Sequence, residues 1–177
     1  VLTTRHHDGF CLFDSKVSDF TAPKTAAGRD LVAEFADACH EADMPVGFYY
    51  SLVDWRFPEV LPRGKKPYPE AWNAMADQAH AQVRELMTNY GDVDILWLDG
   101  GWVARKATED IRTWYGGWVD ETVSGFFKRN IVNQDIRMDE LVARARAAQP
   151  GLIVVDRAVP GPHQNYLTPE NRVPEEA

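Results

Sequence analysis

Apolar positions along the chain fall into two kinds of run that alternate. Short β-rich stretches at residues 1–4, 46–50, 93–98 and 152–155 have the length and the β-branched and aromatic content of buried strands. Between them, apolar residues return every three or four positions. Leu31, Phe35, Ala38, Cys39 and Ala42 form one such stripe, and Trp72, Met75, Ala79, Val83, Leu86 and Tyr90 a second. Met138, Leu141, Val142, Ala145 and Ala148 form the third. This spacing predicts amphipathic helices, the first starting near Arg29. Gly91 stands where a helix C-cap is expected, Asp135 is the expected N-cap of the third helix, and Gln149-Pro150-Gly151 should close it.

Strand and helix in alternation predict an α/β fold with a parallel sheet. Four βα units are half of a (β/α)₈ TIM-like barrel, which needs about 250 residues. Residues 1–177 therefore read as a fragment of one barrel-like domain, with strands missing before Val1 and after Ala177. Two open sheet edges and an unclosed core would remain, so the fragment alone is not expected to be a stable, active protein. A doubly wound sheet is the alternative, disfavoured because no Gly-rich phosphate loop follows any strand. Residues 100–133, with several Trp and Gly, read as a long connection carrying a helix of its own, the kind that usually holds function.

Composition narrows the partners. The chain is 45% hydrophobic and 26% charged, which is globular rather than disordered. Nineteen Lys and Arg against 27 Asp and Glu give a net charge of −8, so neither nucleic acid nor a membrane surface is expected as a partner. No apolar stretch approaches the roughly 20 residues that span a bilayer. Cys11 and Cys39 are too few for a disulfide framework or a four-thiolate site and read as packed thiols. A leader upstream would be lost from view, so the residues themselves leave the compartment open.

Each expected strand ends in polar or aromatic residues: Arg5-His6-His7-Asp8, Tyr49-Tyr50-Ser51, Asp99-Gly100-Gly101-Trp102 and Asp156-Arg157. In parallel α/β folds these ends share one face, and in barrels that face holds the active site. Asp99 ends an apolar strand, and Gly100 and Gly101 after it should keep its surroundings open, which suits a nucleophile. Trp97, two residues earlier, aims to the same side and would wall the apolar face of a sugar. The pattern equally fits Asp99 as a cap and Trp97 as core. His6 and His7 suit hydrogen bonds to substrate hydroxyls or, with Asp8, metal ligation, although the spacing matches no common metal motif. Neighbours on a strand point apart, so only one of the two should face inward unless the chain has already turned. By the same rule one of Tyr49 and Tyr50 faces the site and the other packs on a helix.

Arg5-His6-His7-Asp8-Gly9-Phe10, Gly47-Phe48-Tyr49-Tyr50-Ser51 with Asp54-Trp55, Leu96-Trp97-Leu98-Asp99-Gly100-Gly101-Trp102 and Val155-Asp156-Arg157 occur in this order. Together they resemble the α-L-fucosidases of glycoside hydrolase family 29. The resemblance covers nearly the whole chain. It implies a (β/α)₈-like catalytic domain that removes terminal α-L-fucose from oligosaccharides or glycoconjugates with retention, without metal or cofactor, in a periplasmic or secreted parent. It assigns the nucleophile to Asp99, sugar binding to His6, His7, Tyr49, Trp97, Trp55 and Arg157, and the acid/base to Glu170. That glutamate stands thirteen residues past Arg157 on a loop that varies in the family.

A retaining glycosidase needs two carboxyl groups about 5 to 5.5 Å apart, one ionised to attack and one protonated to release the aglycone. Asp99 and Glu170 are expected to divide those roles. Aromatic walls with His and Tyr donors suit a sugar whose C6 is a methyl group. Two other readings compete: a metal-dependent hydrolase using His6, His7, Asp8 and Asp99, and a relative that binds fucose without turnover.

Overall fold

The structure, a computed structural model, describes residues 1–57, 69–100, 135–156 and 163–165. Four parallel strands, β1 (Leu2–Arg5), β2 (Gly47–Ser51), β3 (Ile95–Asp99) and β4 (Ile153–Asp156), lie side by side in the order of the sequence. The helices between them are α1 (Leu31–Glu41), α2 (Pro69–Thr88) and α3 (Met138–Ala148). Among the described residues the sheet has no point at which strand order reverses, the mark of a doubly wound fold.

The two faces of the sheet differ. Phe48, Tyr50, Leu96, Leu98 and Val154 are fully buried in one core with Val32 and Ala36 of α1, Trp72 and Met75 of α2, and Leu141 and Val142 of α3. On the other face Thr3 and Ile153 are exposed and Tyr49, Trp97 and Asp99 half-buried. Parallel sheets normally have both faces covered.

Element boundaries differ from expectation for identifiable reasons. Helix α1 begins at Leu31 rather than Arg29 because the Asp30 carboxylate accepts from the Val32 and Ala33 amides, 3.1 and 2.9 Å away. Its buried stripe is Val32, Ala36 and Cys39, whereas Ala38 and Ala42 are exposed. In α2, by contrast, the expected stripe is the buried one, from Trp72 to Leu86, with Tyr90 just beyond. Gly91 has φ +73°, and a Cβ there would come within 2.8 Å of the His40 ring. Before α3 the capping position is Arg137, with φ 57°, and not Asp135. The Asp135 carboxylate instead accepts from the Arg137 amide at 2.8 Å, turning the chain one step earlier. Strands β2, β3 and β4 begin one or two residues later than the apolar runs and extend to their polar ends, where Ser51 pairs with Asp99. Both cysteines are free and buried, and burial raises the Cys11 thiol to about 11.

Candidate active site

The site is assembled where β1, β2 and β3 end. Strand β1 carries a bulge: Thr3 pairs with Tyr49, but the next pairing is Arg5 with Tyr50. The extra residue, Thr4, turns inward and donates from its hydroxyl to the Tyr49 carbonyl at 2.8 Å. Without it, Arg5 would share the open face with Thr3. With it, Arg5 lies beside Tyr50, 1% exposed, its guanidinium carbon 5.0 Å from that ring.

Arg5 ties the strand ends together. It donates to the Ser51 carbonyl at 2.6 Å and pairs with the Asp54 carboxylate at 2.6 Å. Asp54, with no exposed surface, also accepts from Arg56 and, at 3.0 Å, from Gln78. Burial by itself would raise the Asp54 carboxyl, but hydrogen bonds from Arg56 and the charge of Arg5 outweigh it and hold it below its usual range. Gly9 makes the adjoining turn possible. Its φ is +79°, its amide donates to the His6 carbonyl at 3.0 Å, and a Cβ would lie 2.5 Å from an Asp54 oxygen.

Because the chain turns directly after Arg5, strand alternation no longer separates the two histidines. His6 stacks on Tyr49, with centroids 5.6 Å apart and planes 8° from parallel. The His7 ring centre is 4.1 Å from that of His6, and Nδ1 of His7 lies 2.5 Å from the Ser51 hydroxyl oxygen. Burial, then the neighbouring His6, lowers the His7 pKa, although Asp99 and Asp8 pull the other way. Trp55, 58% exposed, lies tilted against His7 at 5.6 Å, and its amide donates to the His7 carbonyl at 2.8 Å.

Asp99 shares the open face with Tyr49 and Trp97. The Tyr49 hydroxyl donates to Asp99 Oδ2 at 2.7 Å and the Gly100 amide to Oδ1 at 2.8 Å. Gly100 has φ +78° and is buried, and a Cβ there would stand 3.0 Å from Val53 and 3.1 Å from Ser51, so glycine is favoured by conformation and by close packing rather than by the openness expected from sequence. The pyrrole nitrogen of Trp97 is buried and meets no acceptor among the described residues. Tyr50 takes the opposite side, its hydroxyl donating to Gln82 at 2.7 Å.

The structure thus brings together His6, His7, Tyr49, Trp55, Trp97 and Asp99 of the residues singled out from sequence. Arg157 and Glu170 lie outside the described residues. His6, His7 and Asp99 each offer a ligand atom within 4.8 Å of the others, whereas Asp8 is not among them and receives the Phe10 amide instead. Sequence reading gave no role to Ser51 or to the Arg5–Asp54 pair. The available signal was the pair of opposite charges at the ends of neighbouring strands.

Known proteins similar to this chain in sequence and in fold point to one family. A family model described as alpha-L-fucosidase matches residues 1–177. Alpha-L-fucosidase 1 of Arabidopsis thaliana is 36% identical over 122 residues, 67% of this chain and 22% of that protein. Tissue alpha-L-fucosidase of Homo sapiens is 31% identical over 103 residues, 58% of this chain and 22% of that protein. The chain thus spans 22% of the length of each of these two relatives. Among solved structures, alpha-L-fucosidase isoenzyme 1 from Paenibacillus thiaminolyticus is similar with a TM-score of 0.60 at 37% identity, over 86% of this chain and 32% of that one. The family 29 alpha-L-fucosidase of Bacteroides thetaiotaomicron, trapped as a covalent intermediate with 2-fluoro-fucosyl fluoride, gives 0.61 at 26% identity, over 86% and 29%. With the model matched from the first residue to the last, the chain belongs to the α-L-fucosidase family.

Proposed function

We propose that this chain carries the sugar site and the nucleophile of a retaining α-L-fucosidase, on an arc of a (β/α)₈ barrel. The observation that carries the reading is the contact of the Tyr49 hydroxyl with Asp99, 2.7 Å, beside two histidines on the same rim. A carboxylate held by one phenol and one amide is oriented for attack and keeps lone pairs for the anomeric carbon. The barrel reading is supported by strand order and by the half-open face that bears Tyr49, Trp97 and Asp99.

In this mechanism Asp99 displaces the aglycone to form a fucosyl ester while Glu170 protonates the departing oxygen. Water, deprotonated by Glu170, then cleaves the ester with a second inversion at the anomeric carbon. Tyr49 stabilises the carboxylate as it leaves. Arg157 is assigned to the sugar by its place in the motif series. The intact protein is expected to release fucose from p-nitrophenyl α-L-fucoside, with α-L-fucose as the first-formed anomer by proton NMR. Appearance of the β anomer first would exclude the covalent route.

Glu170→Ala should slow natural fucosides by about 10²–10⁴-fold and activated aryl fucosides far less, because only a poor leaving group needs the proton. Azide should restore turnover of the aryl substrate as α-fucosyl azide. Equal slowing of both substrates without rescue would move the acid/base role to another glutamate.

The cluster of His6, His7 and Asp99 favours a second reading, a metal-dependent hydrolase. Dialysis of the intact protein against EDTA separates the two. The fucosidase reading expects unchanged turnover, and a loss restored by zinc would favour the metal.

A further inference from the structure

A serine hydroxyl has one hydrogen to give and two lone pairs to receive with. The Val53 carbonyl oxygen, 2.9 Å from the Ser51 oxygen, can only accept, so both contacts of this buried hydroxyl are hydrogen bonds only when Ser51 gives its hydrogen to Val53. The Ser51 oxygen, 2.5 Å from His7 Nδ1, is then the acceptor, and Nδ1 carries the hydrogen. We propose that Ser51 is a positioning residue that holds His7 as its Nδ1–H tautomer, leaving Nε2 as an acceptor for a hydroxyl of the bound sugar.

The strand, not the ligand, fixes this arrangement. Ser51 pairs with Asp99 in the sheet, has no exposed surface, and accepts at its carbonyl from the Arg5 guanidinium at 2.6 Å. Gly100 closes the remaining side, since a Cβ there would stand 3.1 Å from the Ser51 oxygen. Burial and the neighbouring His6 disfavour the imidazolium, and in the neutral Nδ1–H ring Nε2 has a lone pair to offer. The consequence is for specificity: a sugar hydroxyl against this nitrogen must donate, and a fluorine or methoxy group in its place leaves the nitrogen unpaired. The identity of the ligand rests on the fucosidase reading, whereas the tautomer does not.

The test is a two-bond ¹⁵N–¹H correlation spectrum of the intact protein labelled at histidine, at about pH 8 where imidazole is neutral. The His7 signal is assigned by its loss in His7→Gln. Nδ1 should be protonated and Nε2 bare, and Ser51→Ala should shift the ring toward the Nε2–H form. Loss of the oriented acceptor should lower kcat/KM for p-nitrophenyl α-L-fucoside about tenfold, mainly through KM. Among monofluorinated fucosides, one should lose its penalty in Ser51→Ala. An Nε2–H ring in the wild-type protein, a tautomer indifferent to Ser51→Ala, or unchanged kinetics in that variant would overturn the proposal. Should the variant not fold, the wild-type spectrum decides alone. Should the protein cleave no fucoside, the fucosidase reading fails while the spectrum still decides the tautomer.

Discussion

Asp99→Ala in the intact protein is expected to lower kcat for fucoside hydrolysis on the order of 10⁴-fold or more, the range found when a covalent nucleophile is removed. The carboxylate stands at the end of β3 with both oxygens aligned, one by the Tyr49 hydroxyl and one by the Gly100 amide. A methyl group in its place would leave the sugar contacts proposed for His6 and His7 but nothing to attack the anomeric carbon. Azide should then enter the vacated space and displace the aglycone of an aryl fucoside directly, giving β-fucosyl azide. That stereochemistry is opposite to the azide product expected from Glu170→Ala, so the two carboxylates are distinguished by product rather than by rate. In the wild-type protein a 2-fluoro fucosyl inhibitor should leave its mass on the peptide containing Asp99. Labelling of another carboxylate, or α-fucosyl azide from Asp99→Ala, would remove Asp99 from the nucleophile's role.

The second large effect concerns stability. Asp54→Ala should destabilise the intact protein by about 3–5 kcal/mol in urea unfolding, the usual result of stripping one partner from a buried ion pair. Arg5 would remain buried with no counter-charge, beside a second guanidinium from Arg56. Replacing both partners, with Arg5→Met and Asp54→Leu, should recover much of the loss without restoring activity, since the turn bearing His6 and His7 loses its anchor. The pH dependence has a definite sign. Asp54 is held below its unfolded value of about 3.9, so its contribution is complete above that pH and is lost as the pH falls through the folded pKa. In Asp54→Ala the acid limb of the stability profile should therefore be shallower. An unchanged limb would mean that the pair does not couple folding to protons.

The sequence carries the strand and helix alternation clearly because each element has its own period, and the stripe of α2 is readable residue by residue. In α1 the period was readable but its phase was not. Leu31, Phe35 and Ala38 lie one position from Val32, Ala36 and Cys39, and apolar residues at both sets leave the choice to packing. That Asp99 and Trp97 share a face follows from strand parity, whereas parity puts one of Tyr49 and Tyr50 beside them without selecting which. The joint use of His6 and His7 does not follow from it, because parity ends where the chain turns, and the turn depends on Gly9 folding over Asp54 from another strand end. Ser51 was hidden for a similar reason: its role comes from which hydrogen bond its only proton makes.

The bulge at Thr4 has a consequence for how this stretch tolerates change. Thr3 is exposed, and replacing it should matter little. The number of residues between Leu2 and His6 is another matter. Losing Thr4 would leave Arg5 opposite Tyr50 and remove only the hydroxyl bond to the Tyr49 carbonyl, while one residue more would carry Arg5, and the histidines after it, a position past Tyr50. The stretch is thus freer in spelling than in length, and an insertion there is a graver lesion than most substitutions.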